Sequence, residues 1–195
     1  MKILIVSDKE VPNLQEGSGG EILQGVDMII SCGDLRSGYL NSISNRANAP
    51  LFYVAGNHDF HYYYERPKGT NLDSRIVTFR DLRLAGFEGS IRYNHKTYQY
   101  TEYEMKKRVK RVARKLMFNP KIDIVVTHAP PFGIYENVDE CHTGFQVYRW
   151  FIEKYQPAYF LHGHYHLDYG MNIEREHIIG NTRVINCVGY YVLEI

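Results

Sequence analysis

Leu51-Phe52-Tyr53-Val54-Ala55-Gly56-Asn57-His58-Asp59 decides how this chain is read. The five apolar residues make a run of strand length, and Gly56 ends it in a tight turn. Beyond the turn Asn57 offers a neutral amide oxygen and His58 an imidazole that can move protons. Asp59 adds a carboxylate expected to orient that imidazole. A strand that empties into a polar turn is how open α/β sheets place chemistry at the carboxyl ends of their strands.

Four other strand-like runs end the same way. Met1 to Ser7 leads into Asp8-Lys9-Glu10, and Asp27 to Ser31 into Cys32-Gly33-Asp34. Ile122 to Thr127 leads into His128-Ala129-Pro130-Pro131, and Pro157 to Leu161 into His162-Gly163-His164-Tyr165-His166. Between them, helical periodicity is clearest over Glu102 to Asn119. There Met105, Val109, Val112, Ala113 and Leu116 recur at helical spacing, Thr101 and Glu104 form a capping-box pattern, and Pro120 marks the end. Further helices are expected near Glu21 to Gln24, Tyr39 to Ser44 and Gly144 to Tyr155. Ile76 to Phe79 and Leu82 to Gly86 read as a hairpin, and His61 to Ser74 as an irregular, tyrosine-rich connection. Short strands are expected near Met171 to Ile173, Ile178-Ile179, Arg183 to Asn186 and Tyr190 to Ile195. With no repeat and no linker, residues 1–195 are expected to form one domain.

The bulk properties narrow the function. The chain is 44% hydrophobic and 23% charged, which fits an ordered globular protein. A net charge of +1 gives no global attraction to nucleic acid or membrane, and neither is expected as a partner. No apolar stretch approaches the roughly 20 residues of a membrane span, and no secretory signal is read at the N-terminus. Cys32, Cys141 and Cys187 lie far apart without CxxC spacing, so neither a disulfide framework nor a zinc knuckle is indicated and a cytoplasmic location is expected.

Carboxylates and imidazoles gathered at one open edge suit a pair of divalent cations. Two such ions, about 3.5–4 Å apart, can hold a bridging hydroxide and clamp both ends of an in-line displacement at phosphorus. The ordered set Asp8-x-Glu10, Gly33-Asp34, Gly56-Asn57-His58-Asp59, Thr127-His128 and Gly163-His164-Tyr165-His166 resembles the calcineurin-like metallophosphoesterase superfamily over nearly the whole chain. The resemblance implies an α/β fold, a four-layer α-β-β-α sandwich of two mixed sheets. It implies that Asp8, Asp34 and His166 bind one metal and that Asp34, Asn57, His128 and His164 bind a second. His58 would assist the leaving group and Asp59 would orient His58.

One position departs from the family pattern, which has histidine where this chain has Glu10. The expectation is that Glu10 ligates the first metal through oxygen, giving a hard site that favours Mn2+ or Fe2+, with Zn2+ as the softer option. The competing reading turns Glu10 away and leaves that site weaker. His162 has ligand spacing to His164 as well; the later pair, His164 and His166, fits the pattern and is preferred. The expected function is metal-dependent hydrolysis of a small phosphodiester, similar to that of the cyclic-nucleotide phosphodiesterase branch, with a nucleotide as one candidate substrate. A phosphomonoesterase with the same centre and a non-catalytic metal-binding scaffold are the alternatives. The basic face of the long helix, Tyr62-Tyr63-Tyr64 with Arg66, and His142 are candidate contacts for anionic ligands, each with a plain packing or solvation reading beside it.

Overall fold

The computed structural model describes residues 1–16, 20–94, 96–135, 139–166 and 174–195. In chain order the strands are β1 Lys2–Ser7, β2 Met28–Ser31, β3 Leu51–Tyr53, β4 Thr70–Asn71, β5 Ile76–Phe79, β6 Leu82–Phe87, β7 Ser90–Ile91, β8 Gln99–Tyr100, β9 Ile124–Thr127, β10 Tyr159–His162, β11 Glu176–Ile179, β12 Thr182–Asn186 and β13 Gly189–Glu194. The α-helices are α1 Pro12–Gln15, α2 Gly20–Leu23, α3 Ser37–Ala47, α4 Glu102–Lys115 and α5 Gln146–Tyr155.

β7 and β8 pair in a small sheet of their own; of the two large sheets, one has the order β13-β1-β2-β3-β4 and the other β11-β12-β10-β9-β6-β5. Both are mixed. In the first, β1, β2, β3 and β4 run parallel and β13 is antiparallel to β1. In the second, β6, β9, β10 and β12 run parallel between antiparallel edges β5 and β11.

Side-chain alternation along β1 shows how the layers form. Ile3 and Ile5 point between the sheets, where they join Met28, Ile30, Val54, Leu84, Ile124, Val126, Leu161 and Ile185. Leu4 and Val6 point the other way and pack with Leu14, Tyr39, Leu40 and Ile43 of α1 and α3. On the far side Ala85, Phe87, Val125, Phe160 and Val184 pack against Met105, Val109 and Val112 of α4 and Phe151 and Ile152 of α5. Strands buried on both faces read as continuous apolar runs, because helices cover parallel sheets on each side. The result is the helix–sheet–sheet–helix layering expected from the sequence.

The connection after Asp59 is more ordered than its sequence suggests. Phe60–Tyr63 forms a 3-10 turn, and Thr70 and Asn71 pair with Phe52 and Tyr53 as the edge strand β4. Two residues carry no readable period, so this strand exists only through its pairing. α4 stops at Lys115, short of Asn119. The strand expected over 171–173 lies outside the described residues. The helices among the described residues include none long and apolar enough to cross a membrane.

The capping box at α4 is present in full: Thr101 Oγ1 accepts from the Glu104 N–H at 3.3 Å and the Glu104 carboxylate accepts from the Thr101 N–H at 2.8 Å. Thr101→Ala is therefore expected to cost about 1 kcal/mol of stability, read as a lower midpoint at unchanged slope in urea denaturation.

Candidate metal centre

The parallel strands end at one edge, and the polar clusters meet there. Asp8 follows β1 and Asp34 lies just past β2; both hold left-handed backbone, at φ 62° and 58°. His164, past β10, does the same at φ 66°. Residues other than glycine hold such angles at a cost that the surrounding structure must offset. Here the turns bring backbone to carboxylate: the His164 N–H donates to Asp8 Oδ2 at 3.0 Å. Donor atoms of Asp8, Asp34 and His128 all lie within 4.8 Å of one another.

Two glycines make that approach sterically feasible. A Cβ on Gly56 would lie 2.1 Å from Asp34 Oδ1, and one on Gly163 would lie 1.9 Å from Ser7 Oγ and 2.3 Å from Asp8 Oδ2. The glycines of the Gly-Asn-His-Asp and Gly-His-x-His clusters thus leave the space that the carboxylates fill.

Hydrogen bonds fix which atom each residue presents. A carbonyl only accepts, so the 2.8 Å contact from His128 Nδ1 to the Cys32 C=O places the imidazole N–H on Nδ1. Nε2 then faces two oxygens, Asn57 Oδ1 at 2.9 Å and Asp34 Oδ2 at 3.4 Å. By the same reasoning His164 Nε2 donates to the Cys141 C=O at 2.8 Å, which leaves Nδ1 with the lone pair. The Asn57 amide nitrogen donates to the Tyr93 hydroxyl at 3.1 Å, so Tyr93 turns the amide oxygen inward. Buried lone pairs converging on one point need a proton or a cation between them. The donor set therefore fits a divalent ion.

Electrostatics agree. Burial alone would raise the Asp8 carboxyl, but the His166 imidazole, the nearby His128 and the hydrogen bonds from Ser7 and the His164 N–H bring it down to about 2. Burial opposes charge on His128, yet Asp34 and Asp8 overcome it and push the imidazole up to about 9. His164, buried beside His128, falls to about 3 and stays neutral, as a ligand must be. His166 lies half-exposed at the rim, with Nε2 at 3.6 Å from Asp8 Oδ1.

Two expected roles change. The Asp59 carboxylate turns inward and accepts from the Gly56 and Asp34 N–H groups at 2.8 Å each; among the described residues its nearest imidazole is His61, at 3.9 Å. It therefore braces the turn that carries Asp34 and does not orient His58. Burial and the Asp34 charge push Asp59 up to about 7. Glu10 is not brought to the cluster either: both its oxygens accept from Arg36, Oε1 from Nε at 2.8 Å and Oε2 from Nη2. An exposed guanidinium fork next to a partly exposed carboxylate satisfies it without the desolvation that joining two buried carboxylates would require. His58 has an exposed side chain, and its N–H donates to Asp34 Oδ1 at 2.8 Å. His162 is buried, with Nε2 at 3.4 Å from the Tyr135 hydroxyl. Sequence reasoning misses Tyr93, Cys141 and Cys32: the first is a lone tyrosine in a polar stretch, and the other two contribute only carbonyls, which any residue carries.

The calcineurin-like phosphoesterase family matches residues 9–168. The chain belongs to this family. Its members are metal-dependent phosphoester hydrolases, and Asp8, one residue ahead of the matched span, is placed by the structure with the rest of the centre. The crystal structure of TT1561 of Thermus thermophilus is similar in fold, with a TM-score of 0.67 at 16% identity over 96% of this chain and 89% of that one. A second solved structure has a TM-score of 0.68, also at 16% identity, over 98% of this chain and 94% of its own. No curated protein matches the chain.

His128 supplies a pH test on metal-free protein. Its folded value, about 9, lies above the ordinary 6.5, so its charge stabilises the fold fully below pH 6.5 and the benefit fades as pH rises through 9. The stability difference between wild type and His128→Gln, from urea denaturation with chelator, should shrink across that window; a constant difference would contradict the assignment. A divalent ion must displace the same proton, so its affinity in calorimetric titration should rise by about tenfold per pH unit over the window.

Proposed function

We propose that residues 1–195 act as one domain that hydrolyses a phosphodiester at a pair of divalent cations. The observation that carries this reading is the buried His128, whose Nε2 faces Asp34 Oδ2 and Asn57 Oδ1, with Asp8 adjoining. Asp8, Asp34 and His166 would hold one ion, and Asp34, Asn57, His128 and His164 the other. Mixed oxygen and imidazole donors favour Mn2+ or Fe2+, with Zn2+ as the alternative. When bound, such ions supply an activated water and neutralise charge on the phosphoryl oxygens.

The chain's own groups do the remaining work. Asp34 is held by its hydrogen bond from the His58 N–H, and Asp59 holds the Asp34 backbone in turn. The His58 side chain is exposed, next to the backbone N–H that binds the Asp34 carboxylate, and would face incoming substrate. From there it can donate a proton to the departing alkoxide, a step that matters most for a poor leaving group. The small phosphate ester taken is compatible with a nucleotide, and the free thiols of Cys32, Cys141 and Cys187 suit a cytoplasmic setting.

With Mn2+, bis(p-nitrophenyl) phosphate should be cleaved faster than p-nitrophenyl phosphate; the reverse order would indicate a monoesterase, and no cleavage of either would indicate a scaffold. His58→Ala should keep its metal content and lose about 10²–10⁴-fold in kcat on alkyl esters, with a smaller loss on nitrophenyl esters. Loss of metal in that variant would reassign His58 as a ligand.

A further inference from the structure

The helical layer over the second sheet carries positive charge that the fold does not consume. The chain balances 23 lysines and arginines against 22 acidic residues, yet α4 is rich in cations along its solvent side. Among the described residues, the ion pairs made by the α4 cations are those of Arg108 with Asp73 and Glu88. The others face solvent or the cleft beside α5.

That cleft is a groove with two lobes, of about 440 Å3 and about 560 Å3, which share Lys110 and Trp150. Lys106 lines the first lobe, and Arg114 and Lys154 line the second. The carboxylate on its wall, Glu102, is already engaged: it accepts from the Gln146 and Val147 N–H groups at 3.0 and 2.8 Å and so caps α5. Trp150, the chain's one tryptophan, is 37% exposed there, with the Lys154 ammonium 5.1 Å from its ring centroid.

We propose that this groove binds single-stranded nucleic acid, with its lysines and its two arginines, Arg111 and Arg114, holding phosphates and Trp150 stacking on a base. Charge complementarity selects a polyanion. A partly exposed aromatic ring between rows of cations suits unpaired bases, whose faces are free to stack; a duplex hides them. Met117, on the second lobe, and the adjoining Phe118 are exposed apolar side chains that a membrane surface could take, but the cations lie within the cleft, where a strand reaches them and a flat bilayer does not. The start of α5 also ties the groove to the metal centre. Phe145, which precedes α5, donates its N–H to the Pro130 C=O at 3.2 Å, two residues past His128. The proposal concerns binding and stands apart from the reaction assigned to the centre.

Trp150 is itself the reporter. Titration with a short oligothymidylate or oligouridylate should quench its fluorescence saturably. Between about 50 and 200 mM salt the affinity should fall with a log–log slope of about −0.7 per phosphate engaged. The exposed triple variant K110E/R114E/K154E should keep its far-UV circular dichroism and lose at least about tenfold in affinity, and Lys110→Glu alone should lose part of that. Trp150→Ala, read by anisotropy of a labelled oligonucleotide, should weaken binding by about tenfold. Absence of quenching and of anisotropy change would overturn the proposal. So would unchanged affinity in both charge variants, or a blue shift on phosphatidylglycerol vesicles with no binding of oligonucleotide.

Discussion

Two carboxylates, Asp8 and Asp34, are held close together at the ends of adjacent parallel strands, and much of the structure answers that placement. Like charges in a poorly solvated pocket repel, so something positive must stand between them. In the protein alone His128 fills that need and is driven toward its cationic form. Divalent ions would answer the same need, and His128 would have to give up its proton to hold one. The left-handed turns at Asp8, Asp34 and His164 and the close-packed Gly56 and Gly163 are the local cost of bringing these groups together. The cores above and below the paired sheets supply the stability that offsets it.

The candidate ligands are kept in place by atoms that sequence reading tends to pass over. Carbonyls of Cys32 and Cys141 choose the tautomers of His128 and His164, and the Tyr93 hydroxyl sets the face of the Asn57 amide. Asp59 ties the turn after β3 to the turn after β2 through two backbone N–H groups. Partners of this kind fix geometry and ligand basicity together, so the centre is more rigid than its exposed edge suggests.

The same division separates what the sequence discloses from what it hides. Asp8, Asp34, Asn57, His128 and His164 are legible because each follows an apolar run that must be a strand, and parallel strands bring their carboxyl ends to one edge. α4 is legible from its period and its capping box. Glu10 and Asp59 have the right residue type in the right neighbourhood, but their partners are set by tertiary approach. Arg36 reaches Glu10 from the start of α3, and the Asp34 amide reaches Asp59 across the sheet edge. β4 is illegible because two residues have no pattern, and the α4–α5 groove because it is made by two helices that are neighbours only in the fold.

On the reading proposed above, Asp34 would join two divalent ions in one centre. Electron paramagnetic resonance of the protein loaded with Mn2+ tests it most directly. We expect two ions per chain with the exchange-coupled spectrum of a bridged pair, collapsing to an isolated-ion signal in Asp34→Asn. A single bound ion, or two ions that show no coupling in the wild-type protein, would contradict it.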